Sequence, residues 1–346
     1  MYRVLLLLAV LLIALVISES RILEGFNSDK LLFHPAVEPH LERRGVKRND
    51  RGMYFQRGSK RVSFNDVGDL NSKKTSLLAR SKSGTNEYLA SQGFPVPRLV
   101  VWDRSKSHVR NLEEVERRLD YPVVVKPDVG SHGRDVVVGV SNATSLVNAV
   151  VNLRASDKVI IEEQLLGEEY RVNVTGGRVV AISLRKPPVV VGNGTSTLES
   201  LIAERNEEAS VSGETKARKK GVTVDYDFLR RQAKVLQSVP DDGEVVIISP
   251  VSNYSNGGTF EPIPISMMHR ENREMLEDVS AATGGVNLGI DFMVSNDISV
   301  PYSNANSAGI IEINTNPGVT GTLGCREEPE KQDMIDAVID NLFGRS

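Results

Sequence analysis

Residues 121–140 read YPVVVKPDVGSHGRDVVVGV: a valine run, a lysine, a glycine-bearing loop and a second valine run. Val123, Val124 and Val125 suit an interior strand, because β-branched side chains fill a pleated, buried surface. The run 136–140 returns as a second strand, so the loop closes a hairpin. A buried strand thus carries one ammonium group, Lys126, to the mouth of a loop built from Gly130, Ser131, His132 and Gly133. Backbone N–H groups of such a loop bend around an anion, and a lysine fixed by its strand adds charge. It is not a Walker loop, since the Gly-Lys-Ser/Thr ending is absent. Taken alone, a plain surface hairpin describes the same residues, and is the commoner thing.

Outward from this hairpin, helical spacing runs over 81–92, 112–119, 142–153, 197–208, 226–238, 270–283 and about 330–342. Strand patterns fall at 159–163, 244–248, 286–294 and 310–314, with a hairpin over 170–184 turning at Gly176-Gly177. Strands mix with helices and hairpins are frequent. The class expected is α+β with antiparallel sheets, not a doubly wound parallel sheet.

The chain of 346 residues is 40% hydrophobic and 25% charged, enough for one large core or two modest ones. A net charge of −3 gives no bulk electrostatic attraction to nucleic acid or anionic membranes. The single cysteine, Cys325, excludes an internal disulfide framework and a cysteine-based metal cluster. Residues 4–17 are an unbroken apolar run followed by Ser18-Glu19-Ser20. That is short of the roughly 20 residues of a spanning helix and fits a signal-peptide core or an uncleaved anchor. The expected organisation is signal peptide or anchor over 1–20, linker and small leading subdomain over 21–75, and a main domain over 76–345. Within the leading piece, 53–64 suits a small hairpin, and the basic run Arg43, Arg44, Lys47, Arg48 suits a solvated surface.

Residues 289–318, GIDFMVSNDISVPYSNANSAGIIEINTNPG, set Asp291 on one strand and Glu312 and Asn314 on the next. Positions two apart on a strand share a face, so Glu312 and Asn314 point together. If the strands pair, Asp291 joins them in an oxygen-only set suited to Mg²⁺. A polar strand end capped by Asn-Pro-Gly accounts for the same residues equally well. The stretch IIEEQLLGEEYRV, 160–172, ends a strand in acids and bends through Leu165 and Leu166, where a flat base fits; an ordinary strand crossover reads the same.

Order and spacing join these signals. The stretches SKSGTNEYLASQGFPVPR, YPVVVKPDVGSHGRDV, IIEEQLLGEEYRVNVTGGRVVAISLRKPPVVVGNGTSTLESLI, NYSNGGT and GIDFMV…GIIEINTNPG span roughly 76–323. In that order they resemble the ATP-grasp superfamily, and within it the ligase domain of cyanophycin synthetase and the fused glutathione synthetases. The resemblance implies two α+β lobes gripping ATP between antiparallel sheets, a lid lobe at about 120–185 and a catalytic lobe at about 186–345. It implies that Lys82 and Lys126 hold phosphates, and that Gly130, Ser131, His132 and Gly133 form a flap over them. Glu162, Glu163 and Leu165 would meet the base, and Glu169 the ribose. Asp291, Glu312 and Asn314 would hold Mg²⁺, with Mn²⁺ as an alternative ion. Arg185 falls where a basic residue faces phosphate or the acyl intermediate, so Lys126 and Arg185 are the catalytic candidates.

The activity implied is carboxylate–amine ligation through an acyl phosphate, on small amino-acid or peptide-like substrates. An ATP-grasp small-molecule kinase and a non-catalytic ATP-binding scaffold are the alternatives. Relatives carry arginines just before the N-x-S-x-G-G segment, whereas IISPVSNYSNGGT here has none, which leaves the substrate open. Nucleic acid is not an expected partner, membrane contact is expected only through the N-terminal segment, and a homo-oligomer is compatible. The expected location is at a membrane, anchored N-terminally with the catalytic domain facing the cytosol where ATP is abundant; the alternative is the secretory pathway after cleavage.

Overall fold

The computed structural model describes residues 37–49, 54–63, 71–131, 133–153, 158–211, 221–253, 256–315, 317, 322–323 and 328–344. Helix α1 (Glu38–Arg43) leads into an antiparallel sheet of β1 (Lys47–Asn49), β2 (Tyr54–Arg57) and β3 (Lys60–Ser63). Gly58, at φ +58°, makes the tight β2–β3 turn in a left-handed conformation that glycine adopts without strain. Helices α2 (Lys73–Arg80) and α3 (Lys82–Ser91) follow end to end, each capped by a serine. Ser72 accepts the Thr75 N–H and Ser81 the Gly84 N–H, satisfying donors that have no partner inside the helix. Helix α2 begins in the stretch expected to be linker and runs on into the expected main domain.

A four-stranded antiparallel sheet comes next. It is built from β4 (Leu99–Trp102), β5 (Val123–Pro127), β6 (Val137–Val140) and β7 (Val159–Glu163), with α4 (His108–Arg118) and α5 (Ala143–Asn152) between them. The strand order is β4-β7-β5-β6. Val123 and Val125 turn inward against Trp102, Val115, Leu146 and Ile161, while Val124 and Lys126 face away from the helices. A reciprocal capping box between Asn142 and Ser145 starts α5.

The second sheet holds β8 (Glu168–Thr175) and β9 (Arg178–Lys186), the hairpin expected at Gly176-Gly177. A separate ribbon of β10 (Val189–Val191) then pairs with a later strand across α6 (Leu198–Val211) and α7 (Tyr226–Arg231); that strand is β11 (Val245–Ile247). The chain continues through β12 (Thr259–Ile263), α8 (Arg270–Thr283), β13 (Asn287–Val294), β14 (Ala308–Asn314) and α9 (Glu328–Phe343). The five strands line up antiparallel as β12-β9-β8-β13-β14.

Alternation, interrupted by irregularities at Val180 and Ile311, splits this sheet into two faces. Tyr170, Val172, Ile182, Ile290 and Phe292 form one, packed under Met275, Leu276 and Val279 of α8. Each such buried large side chain contributes roughly 1.5–3 kcal/mol. The opposite face is shared. Val180 and Ala181 lie under α9, α1 and β2 at one end, and a polar cluster occupies the other. The basic run is tied to α9: Arg43 and Arg44 reach Asp336, Arg44 also reaches Asp340, and Arg48 pairs with Glu38 at 3.3 Å.

The four-stranded sheet ends with β7 at Glu163, and β8 and β9 join the five-stranded sheet from Glu168 on. Two expectations need correction. Helix α7 stops at Arg231 instead of continuing to 238. Ala233 turns left-handed at φ +55°, and the N–H groups of Lys234 and Ala233 close back on the carbonyls of Leu229 and Arg230, a Schellman ending. The membrane placement is withdrawn, since no helix among the described residues is long and apolar enough to cross a membrane. The apolar run 4–17 itself, like His132 and the basic stretch 214–220, lies outside the described residues.

Candidate functional site

The polar face of the five-stranded sheet and the helix-free face of the four-stranded sheet enclose a cleft of about 560 Å³. Strand β5 brings Lys126 into it, buried at 4% exposure. On the neighbouring β7, Glu162 lies opposite Val124, one alternation from Lys126, and its Oε2 is 2.5 Å from Lys126 Nζ. Burial pushes the Glu162 carboxyl above its ordinary range, against the opposing pull of the Lys126 ammonium.

Lys82 opens α3 and extends into the same space. Its Nζ donates to the Gly130 carbonyl at 2.9 Å and stands 3.4 Å from Glu312 Oε1. Gly130, Ser131 and Gly133 line the cleft beside it. Gly133 has φ +65°, and a β-carbon there would collide with Val251, so the loop depends on glycine for its path.

At the other end β7 runs out through Glu163, Gln164 and Leu165, all lining the cleft. Glu163 is held by Arg98, whose backbone N–H and Nε both lie 3.1 Å from its Oε2. Burial raises this carboxyl, yet the Arg98 bonds leave it below the ordinary range. Gln164 Oε1 accepts the Gly139 N–H at 2.9 Å, tying the exit of β7 to β6.

The floor is a charge network across four strands. Asp291 on β13 sits directly opposite Glu312 on β14 and Arg171 on β8, and Asn314 pairs with Gly289 one alternation away. Register alone therefore puts the three expected metal ligands on one face. Arg171 Nε and Nη2 donate to Asp291 Oδ1 and Oδ2 at 2.5 and 3.3 Å, while Arg185 Nη1 reaches Asp291 Oδ2 at 3.0 Å and Glu169 Oε1 at 2.7 Å. The Arg185 guanidinium also lies 5.5 Å from the centre of the Phe260 ring, a cation–π distance. Burial acts to raise the Asp291 carboxyl, but Arg171 and Arg185 more than offset it and hold it low. Glu169 goes the other way, pushed up by burial with Asp291 adding to the rise.

All of the expected site residues within the described part thus converge on one cleft. Arg171 is an addition that sequence reasoning passed over. Its signal was present: it stands two residues after Glu169 on one strand, and so on the same face. Gln164 was passed over too, because an amide in a bend carries no pattern of its own. The segment 250–253, which lacks the arginine of relatives, lines the cleft through Pro250, Val251, Ser252 and Asn253.

Comparison with known proteins agrees with this geometry. The family described as D-ala D-ala ligase C-terminus matches residues 88–190. Cyanophycin synthetase of Trichormus variabilis is 33% identical over 275 residues, which cover 77% of this chain and 29% of that protein. The glutathione biosynthesis bifunctional protein of Mannheimia succiniciproducens is 26% identical over 300 residues, covering 84% of this chain and 39% of that one. The chain thus spans only about a third of the length of these curated relatives. Among solved structures, a bifunctional glutathione synthetase from Pasteurella multocida superposes with a TM-score of 0.57 at 23% identity, over 90% of this chain and 43% of that one. D-alanine–D-alanine ligase from Bacillus anthracis gives 0.50 at 15% identity, over 78% and 69%, a likeness of fold. The chain belongs to the ATP-grasp superfamily and resembles the domain that it matches in cyanophycin synthetase and the bifunctional glutathione proteins.

Proposed function

We propose that this protein is an ATP- and Mg²⁺-dependent carboxylate–amine ligase that forms an amide bond through an acyl phosphate. One observation carries the reading. Two lysines and a glycine loop face a carboxylate pair and an amide across a single cleft, cations above and oxygen ligands below.

The donor set suits a hard divalent ion. Asp291 and Glu312 are cross-strand partners, Asn314 shares their face, and the arginines keep Asp291 ionised, as a metal ligand must be. Asp291, Glu312 and Asn314 would hold the ion, which would supply positive charge against the phosphates during transfer. The chain's own residues do the rest. Lys82 and Lys126 would hold phosphate oxygens, the amides of the loop at Gly130–Gly133 would cradle them, and Leu165 with the backbone at Glu163 would bracket the base. Glu169 would accept from a ribose hydroxyl. A substrate carboxylate oxygen attacks the γ-phosphorus, ADP leaves, and an amine nitrogen then displaces phosphate from the acyl carbon. Arg185 and Arg171 would offer positive charge in the cleft that the arginine-free 250–253 segment also lines. Closure of the cleft over the nucleotide would keep water from the acyl phosphate.

The substrate class follows from the relatives: cyanophycin synthetase and the glutathione-synthesising proteins favour an amino-acid or peptide-like carboxylate and amine. The test is ADP release from purified protein with ATP, Mg²⁺ and mixed carboxylates and amines, with product mass measured. Release that needs both partners and yields an amide supports ligation. Full-rate release with a phosphorylated product and no amine makes the protein a kinase. Binding of nucleotide with no release under any pairing makes it a scaffold.

A further inference from the structure

Asp128 follows directly on β5, two residues beyond Lys126, and is buried at 4% exposure, outside the lining of the cleft. Every polar group it has goes to another element. Its backbone N–H donates to the Lys158 carbonyl before β7 at 3.0 Å, and its carbonyl accepts the Lys82 N–H at 3.1 Å. Oδ1 accepts the Ser83 N–H at 2.7 Å and Oδ2 the Ser81 hydroxyl at 2.9 Å, while Lys158 Nζ stands 3.7 Å from Oδ2. Burial acts to raise this carboxyl, but the Ser83 and Ser81 bonds outweigh it and keep it below the ordinary range. An ionised acceptor is what two donors and a nearby ammonium require.

The position of Lys82 follows from how the first turn of α3 docks, because Lys82 is its first residue. The position of Lys126 follows from β5. Asp128 joins the two. Removing its carboxylate does not remove the helix, since Ser81 still accepts the Gly84 N–H at 3.1 Å and caps α3 from within. What is lost is the side-chain part of the tie between that first turn and the strand that bears Lys126, leaving the single backbone bond from Lys82 N–H to the Asp128 carbonyl.

We propose that Asp128 is a positioning residue that sets the separation of Lys82 and Lys126, and through it the grip on a nucleotide's phosphates. The proposal rests on the nucleotide reading of the cleft. Displacing a charged group by about an ångström weakens its contribution roughly tenfold or more.

The experiment is a double-mutant cycle on the full chain, read as the dissociation constant for a non-hydrolysable ATP analogue with Mg²⁺. Asp128→Ala should raise that constant about tenfold in the wild-type background but less than about twofold in Lys82→Met. Asp128→Asn, which keeps one acceptor and tolerates folding better, should fall between wild type and Asp128→Ala and serves where the alanine variant fails to fold. Equal fold-changes in both backgrounds, with wild-type binding intact, overturn the role of Asp128 alone. Undiminished binding by Lys82→Met overturns the nucleotide reading itself, and the positioning role falls with it.

Discussion

Replacing Lys126 by methionine tests the site through stability as well as through binding. Methionine keeps most of the stem's volume and removes the ammonium 2.5 Å from Glu162 Oε2. Glu162, 5% exposed, then has to be buried as an ion or take up a proton. Breaking a buried pair from one side costs about 3–5 kcal/mol. Protonation sets a ceiling on that cost. The carboxyl's ordinary value is 4.5, so neutralising it at pH 7 spans 2.5 pH units, roughly 3 kcal/mol at about 1.4 kcal/mol per unit. The sign follows from linkage: the folded value lies above the unfolded one, so the penalty is absent below pH 4.5 and grows as pH rises. A variant without the carboxyl, Lys126→Met/Glu162→Leu, has no such slope. The stability gap between the single and double variants should widen by about 2–3 kcal/mol from pH 5 to pH 7. Urea unfolding followed by Trp102 fluorescence reads it, because this single tryptophan lies in the core of the sheet that carries both residues. A gap that stays constant with pH would refute the account of Glu162 as a charge dependent on Lys126.

Glu312→Gln should lower the Mg²⁺-dependent part of nucleotide affinity and cut ADP release about a hundredfold or more, with metal-free binding little changed. Isothermal titration with and without Mg²⁺ checks it. Arg185→Met strips a cation from both Asp291 and Glu169, and turnover should fall roughly 10²–10³-fold while the fold, monitored by circular dichroism, persists. Gly167 takes φ +138°, and a β-carbon there would collide with the Val294 carbonyl, so Gly167→Ala should cost more than about 2 kcal/mol in urea unfolding. Ala233→Gly, at φ +55° in the Schellman ending of α7, should instead add roughly 1 kcal/mol in the same assay.

Much of this fold was readable because its signals are local. Strand β7 and helix α8 have the bounds that apolar spacing and caps assign them, and the β8–β9 hairpin turns at its glycine pair. Asp291, Glu312 and Asn314 were also readable, since strand alternation fixes their shared face once β13 and β14 pair. Other elements escaped for identifiable reasons. Strand β12 contains Pro262 and little apolar alternation; it exists because the edge of β9 supplies hydrogen bonds. Helix α7 stops early because a backbone ending at Ala233 overrides spacing that would carry a helix further. The membership of β8 and β9 in the five-stranded sheet was silent, because a hairpin does not announce which sheet it will join. Asp128 was silent for the same reason: its partners lie 45 and 47 residues away along the chain.

Lys82 contacts the Gly130 carbonyl on one side of the cleft and Glu312 on the other. That single side chain is therefore a clasp between roof and floor. An anion arriving at its ammonium would compete with both tethers at once, so under the proposed function a phosphate would take over this link between the two sheets. Raising ionic strength would relax the same clasp by screening, making the two sheets part more freely before any ligand enters.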